Sequence, residues 1–372
     1  MSEHVLITGG AGFIGSHLAD ELLRAGYRVS ALDNLSPQVH GPEQRRPAYL
    51  APEVELIVGD VRDPAAVRRA LRDVDAVVHL AAMVGVGQSM YRVNDYTSVN
   101  AGGTSILLEA LAEKPVRRLV VASSMSVYGE GLFRRPNGEV IEGRSRTLEQ
   151  LKQGAWELRG PDGEPLTPVP TLETKTPNLE SVYALSKYDQ ERLCLILGRA
   201  YNIPTVALRL FNVYGPRQAL SNPYTGVLAI FATRLLNDSP PLIFEDGLQR
   251  RDFVSVLDVA RAFRLALTED AATGEVLNIG SGAPRTVLDV ARAMRQALGR
   301  RSGGEEITGR YRMGDVRHCF ADIGKARRVL GYEPQVSFEG GLTELAGWLE
   351  GQVARDRVAE ARAELEQRGL TL

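Results

Sequence analysis

Residues 4–18 read "HVLITGGAGFIGSHL". The first five, "HVLIT", are nearly all apolar or β-branched, as in a strand buried on both faces. From Phe13 the pattern turns helical, and across the junction stand Gly9, Gly12 and Gly15 at three-residue spacing. Glycines at such a junction let backbone N–H groups approach a pyrophosphate, and the helix N-terminus favours its negative charge. Gly15 also allows close packing of helix on sheet. A glycine trio alone carries little weight, but at a strand–turn–helix junction it is a dinucleotide fingerprint. Gly9, Gly12, Phe13, Ile14 and Gly15 are therefore candidate cofactor contacts.

Strand patterns recur at 27–33, 54–58, 75–81, 117–123 and 204–210, separated by helical patterns at 13–25, 64–73, 96–113 and 180–200. This alternation predicts an α/β fold, a Rossmann-type doubly wound parallel sheet occupying residues 1–210. Residues 131–178, rich in Pro, Gly and charge, break the rhythm and read as an insertion or lid near the active site. After residue 211 helices are expected near 226–237, 255–268, 286–298 and 340–350, giving a smaller, mixed α/β substrate domain over 211–350. The tail, 351–372, has a charged helical pattern with Val353, Val358, Ala361 and Leu365 on one side. Its partner is either its own domain or a second subunit.

The 372 residues are 44% hydrophobic and 24% charged, with a net charge of −2. That balance gives no electrostatic reason to bind nucleic acid or an anionic membrane. The longest apolar run, "AVVHLAAMVGVG" (76–87), is too short to span a bilayer, and the N-terminus lacks a secretory pattern. Two cysteines, Cys194 and Cys319, make neither a disulfide framework nor a zinc spacing. A cytoplasmic protein without a metal is expected.

Asp33 ends the second strand, eighteen residues beyond Gly15. A carboxylate there accepts hydrogen bonds from a ribose diol and repels a 2′-phosphate, so NAD is expected rather than NADP. Asn34 and Ser36 follow it in "DNLS". Asp60, in "GDVRD", ends the third strand and can meet the adenine amino group. A capping role before Pro64 competes with that reading, and Asp63 is a rival cap. Val61, Leu80 and Ala81 complete the candidate cofactor set. Tyr183 and Lys187 in "YALSK" lie one helical turn apart on one face. A tyrosine is a poor base near neutrality, its ordinary pKa being about 10. A neighbouring lysine cation and a positively charged nicotinamide favour the phenolate. His79 lies within a strand and reads as a structural histidine.

These residues resemble the extended short-chain dehydrogenase/reductase superfamily of nucleotide-sugar-modifying enzymes. The resemblance covers roughly 1–130 and 179–335. It rests on "TGGAGFIG", "DNLS", "GDVRD", "VVHLAA", "SSMSVYG", "YALSK", "RLFNVYGPR", "RRDFVSVLDVA" and "RMGDVRHCFAD". It implies a catalytic triad of Ser124, Tyr183 and Lys187. It further implies a nucleotide-diphosphate sugar bound by Ser124, Tyr183, Asn212, Phe244, Arg251, Arg312 and Asp315, with the arginine forks on the diphosphate. A homodimer is also expected from the resemblance.

In such enzymes the tyrosine removes a hydroxyl proton while hydride leaves the sugar. Dehydratases and decarboxylases of the superfamily carry an acid directly after the serine or threonine. Here Met125 and Ser126 stand there, and neither serves as an acid–base group near neutrality. Without that acid the expected chemistry is oxidation, rotation of the ketone and return of hydride to the other face, a C4 epimerisation. The stretch 221–254 and the insertion most resemble the dTDP-L-rhamnose 4-epimerase subgroup. Relatives there can carry a cysteine knuckle where this chain reads "GPDGEPL" (160–166), so zinc is not expected. UDP-glucose and UDP-uronate 4-epimerases share the triad and stay open, as does, further off, a dehydratase or reductase.

Overall fold

A computed structural model describes residues 2–222, 224, 226–300, 304–311, 314–352, 356 and 358–371. Seven strands build its central sheet: β1 (His4–Thr8), β2 (Arg28–Asp33), β3 (Glu55–Val58), β4 (Ala76–His79), β5 (Arg118–Ser124), β6 (Thr205–Leu210) and β7 (Val276–Ile279). All pairs are parallel, in the order β7-β6-β5-β4-β1-β2-β3. The near-continuous apolar runs of the sequence have their reason in this layering. Val5 and Ile7 pack with Leu18 and Leu22 of α1 (Phe13–Arg24) and with Phe263 of the helix Val256–Thr268 on one face. Leu6, Val77 and Leu119 face Val67, Leu107 and Leu195 on the other. The strand order reverses between β1 and β4, which opens a crevice beyond their carboxyl ends.

Several elements were not legible in the sequence. β7 is only four residues, "VLNI", between two glycine turns, and it joins the sheet by pairing with β6. The chain thus returns to the central sheet well after residue 211. The insertion carries a small antiparallel sheet, with Leu132–Arg134 between Val140–Glu142 and Thr167–Val169. Strands of three residues leave no period to read. The helix expected at 96–113 exists but contains a π-helical turn, Thr97–Gly102, before Gly103–Glu113.

The second lobe has a sheet in which Arg250–Ser255 pairs with Asn212–Tyr214, Pro284–Thr286 and His318–Cys319. Its core joins Phe231, Phe253, Met294 and Phe338. The insertion braces this lobe from outside the cleft. Buried Arg146 pairs with Glu245 at 2.8 Å, and Glu157 accepts from His318 at 2.9 Å and from Arg317. The tail helix Val358–Gln367 packs on its own chain; Val353 lies outside the described residues. Among the described residues no helix is long and apolar enough to cross a membrane, and no His, Cys, Asp and Glu cluster could hold a metal ion.

Candidate active site

The crevice at the β1/β4 reversal is a cleft of about 1050 Å³ running between the two lobes. At its floor the glycine loop has the backbone a phosphate requires. Gly9 has φ +71°, and a Cβ there would sit 2.9 Å from the Ala81 amide nitrogen. A Cβ on Gly15 would strike the Gly9 carbonyl oxygen at 2.4 Å, so Gly15 brings α1 onto the loop rather than onto a strand. Gly12 caps α1 without a side-chain hydrogen bond, leaving the first N–H groups of the helix facing the loop. This cradle fits a dinucleotide pyrophosphate.

Asp33 is buried and accepts from the Ala11 N–H at 3.1 Å and the Leu35 N–H at 2.9 Å. Its carboxylate is thus fixed beside the loop, where a ribose diol would lie. Asn34, Ser36, Val61, Leu80 and Ala81 line the same cleft. Asp60 is not among the lining residues. Its carboxylate is bound by Arg62 at 2.8 and 2.9 Å and by Asn34 at 2.9 Å, which holds its pKa far below the usual range. Asp63, not Asp60, caps the following helix by accepting from Ala65 N–H.

Ser124, the last residue of β5, lines the cleft together with Tyr183 and Lys187. Ser181 caps the helix Val182–Ala200, and so sets the face on which Tyr183 and Lys187 stand. Burial raises the Tyr183 phenol above its ordinary pKa of 10, and a hydrogen bond with Ser124 acts in the opposite direction. Lys187 is 3% exposed, and burial pulls its pKa down to about 8. Next to Ser124, the Ser126 hydroxyl donates to Ser124 Oγ at 2.8 Å, and Met125 is buried on the same wall. Every acidic residue lining the cleft has a partner within the protein. Asp33 is held as above, Asp95 pairs with Arg92, Glu180 accepts from Ser145, and Asp315 pairs with Arg251.

On the second lobe, Asn212, Phe244, Arg251 and Asp315 reach the cleft; Arg312 lies outside the described residues. Arg251 donates to the Arg317 carbonyl at 2.9 Å and to Asp315 at 3.3 Å. Among the described residues Asn212 Oδ1, Gln218 Oε1 and Gln249 Oε1 are buried without a hydrogen-bond partner, an expensive condition that a polar ligand would relieve.

Sequence reasoning missed several residues here. Asn100, in the π turn, accepts from the Met83 N–H at 2.7 Å and donates to Met83 O at 3.1 Å and Ser186 Oγ at 2.9 Å. It thereby shapes the loop Met83–Gly85 against the triad helix; π turns recur at functional sites, but this one has no sequence signature. Gln218 directly follows "RLFNVYGPR", so one more residue of that motif would have included it. His79 is a structural histidine, with Nδ1 on Thr8 Oγ1 at 2.7 Å and Nε2 on Thr104 Oγ1 at 2.8 Å.

Comparison with known proteins agrees with this geometry. The chain is 36% identical over 357 residues to the dTDP-L-rhamnose 4-epimerase of Burkholderia thailandensis, covering 94% of this chain and 96% of the relative. It is 33% identical to a putative UDP-glucose 4-epimerase of Methanocaldococcus jannaschii, covering 93% and 98%. Among solved structures, UDP-glucose 4-epimerase of Thermus thermophilus in complex with NAD superposes with a TM-score of 0.74 at 32% identity, over 94% of this chain and 100% of that one. The model of the NAD dependent epimerase/dehydratase family matches residues 5–149 and 155–280, and the chain belongs to that family.

Proposed function

We propose that the protein is a nucleotide-sugar 4-epimerase that inverts C4 of a dTDP- or UDP-hexose, with dTDP-L-rhamnose the first candidate substrate. One observation carries this reading: Ser124, Tyr183 and Lys187 meet in one cleft while Met125 and Ser126 occupy the place of a dehydratase acid. The relatives named as dTDP-L-rhamnose and UDP-glucose 4-epimerases support the same class.

The glycine loop and Asp33 would hold NAD, which supplies the hydride acceptor and, once reduced, the hydride donor. Tyr183 Oη receives the proton of the C4 hydroxyl through Ser124 and returns it after the ketone has turned. Lys187, buried and cationic below its pKa of about 8, favours the phenolate that burial alone disfavours. Arg251, released from Asp315, takes the diphosphate, and Asn212 and Gln218 offer acceptors to the substrate's hydroxyls. Elimination requires a proton carrier at C5 that the Ser124–Ser126 stretch does not provide.

A homodimer through the helix Val182–Ala200 belongs to the same reading. Leu185 and Ile196 project from that helix at 44% and 51% exposure, eleven residues apart and so on one face. The two buried free cysteines suit a reducing cytoplasm.

The test is product analysis. Purified enzyme given a panel of dTDP- and UDP-hexoses should form the C4 epimer without added NAD and without net absorbance at 340 nm. Tyr183→Phe should lower kcat by ~10³-fold or more, the middle to upper part of the ~10²–10⁴-fold range for one acid–base group. Accumulation of a 4-keto-6-deoxy sugar would instead make the protein a dehydratase.

A further inference from the structure

The cleft is lined in part by a segment that the family model does not reach, since its match ends at residue 280. The helix Val358–Gln367 and the residues after it pass over the opening, and Ala361, Leu365, Leu370 and Thr371 line the cleft from above. The helix touches both lobes. Toward the first, Leu365 packs over Gly87, where a Cβ would lie 3.4 Å from its methyl carbon. Toward the second, Arg310 pairs with Glu366. Glu364 holds the middle: one carboxylate oxygen accepts from Tyr91 Oη at 2.9 Å and from Tyr224 Oη at 3.1 Å. Tyr91 comes from the first lobe and Tyr224 from the second, and their hydroxyls are 2.6 Å apart. Arg368 stacks over the Tyr91 ring at 4.4 Å.

Two features separate this from a tail packed for stability alone. Thr371 is 6% exposed, lines the cleft and has no partner for its hydroxyl among the described residues. Gln218 Oε1, in the opposite lobe's wall of the same cleft, is in the same condition. Buried polar groups left unpaired cost free energy unless a ligand satisfies them. Moreover, the latch is a single carboxylate between two phenols from different lobes, so opening breaks its two hydrogen bonds together with the Arg310–Glu366 pair, the Arg368–Tyr91 stack and the Leu365–Gly87 contact, and leaves the cores of both lobes packed.

We propose that residues 358–371 are part of the substrate site: the helix is the cover under which the nucleotide sugar binds, latched by Glu364 to Tyr91 and Tyr224, with Thr371 hydrogen-bonding the bound sugar nucleotide. The inference rests on the nucleotide-sugar reading above. A substrate must pass beneath the helix, so the latch opens for entry and recloses on the bound molecule. An apolar underside of Ala361, Leu365 and Leu370 keeps water from the ketone while it turns.

The test locks the cover. Gly87→Cys with Leu365→Cys places two thiols across the mouth, and the native cysteines are both buried. Association of dTDP and UDP is followed by stopped-flow fluorescence on NAD-loaded enzyme, oxidised and then reduced. The oxidised form should bind at least ~10-fold more slowly, with dithiothreitol restoring the rate, while Glu364→Gln in the otherwise native chain speeds nucleotide release. Thr371→Val should raise KM by ~10-fold, the worth of about one hydrogen bond, with kcat changed less. Equal rates for the oxidised and reduced forms, with wild type binding normally, overturn the cover and leave the epimerase reading standing. Failure of wild type to bind either nucleoside diphosphate overturns the epimerase reading, and the cover with it.

Discussion

Lys187 Nζ donates to Gln190 Oε1 at 2.5 Å, and the nitrogen of that same amide is fixed by Ala81 O at 3.2 Å and Thr104 Oγ1 at 2.9 Å. Gln190 is fully buried, so its orientation is set by these partners rather than by water. The ammonium is thereby held on the cleft side of the helix at the cost of burying its charge. His79, adjoining the same network, stays neutral because burial and the Lys187 charge pull its pKa down to about 3.

That cost predicts a split between activity and stability in Lys187→Met. Turnover should be lost, yet the variant should resist urea better at pH 7 in the absence of nucleotide. Moving the lysine pKa from 10.5 to about 8 corresponds to a burial penalty on the order of 3 kcal/mol, partly offset by leaving Gln190 Oε1 without its donor. The folded protein releases this proton before the unfolded chain does. Wild-type stability from this group therefore rises as pH climbs from 8 toward 10.5, and the advantage of the variant shrinks over the same range. Unfolding curves at pH 7 and pH 10 for both proteins check the sign; a variant less stable than wild type at pH 7 would contradict it.

The two serines should not be equivalent. Ser124 stands beside Tyr183 and counteracts the rise in its pKa, whereas Ser126, on the same cleft wall, donates to Ser124 Oγ at 2.8 Å. Ser124→Ala is expected to lower kcat by ~10²–10⁴-fold, the range for a group in the proton path. Ser126→Ala should cost about ten-fold or less, since one neutral hydrogen bond is worth about 1 kcal/mol. Steady-state kinetics on both variants, with KM followed separately, decides whether the relay runs in this order.

The sequence made the floor of the cleft legible because its parts are local. The glycine loop, Asp33 and the Tyr183–Lys187 pair each lie within one element or one tight junction, where spacing alone sets geometry. The roof was not legible for the opposite reason. Glu364 meets Tyr91 and Tyr224 across 273 and 140 residues of chain, and no local pattern encodes such a meeting. β7 failed for a third reason, since four residues between glycine turns carry too little pattern to distinguish from a loop. Asp60 stands just past its strand end as expected, and what position could not tell is that Arg62 and Asn34 hold its carboxylate in place.

Asp33 holds two backbone N–H groups with two separate oxygens, from Ala11 and Leu35. Asp33→Asn keeps the shape but replaces one acceptor with a donor facing an N–H. NAD affinity should drop by ~10–100-fold, equal to about 1.4–2.8 kcal/mol, through both the loop and the ribose. Removing the negative charge should also narrow the preference for NAD over NADP. Fluorescence titration of nucleotide-free enzyme with each cofactor gives the ratio; an unchanged ratio would remove Asp33 from the ribose site.

Beneath the triad, Glu191 and Arg209 form a buried two-point pair at 2.7 and 2.9 Å, and Ser123 donates to the same carboxylate at 2.6 Å. Both side chains are nearly inaccessible, and Ser123 directly precedes Ser124. Glu191→Ala leaves the arginine charge buried and unpaired, which should cost about 3–5 kcal/mol and shift the denaturant midpoint accordingly. Replacing both partners, as in Glu191→Leu with Arg209→Met, should recover most of that loss, because the desolvation penalty of two charges disappears with their attraction. The double variant should nevertheless stay slower than wild type. Ser123 has then lost the acceptor that anchors the end of β5, and Ser124 loses its fixed approach to Tyr183. Stability recovered with kcat still depressed would assign the pair a positioning role; recovery of both would reduce it to a structural one.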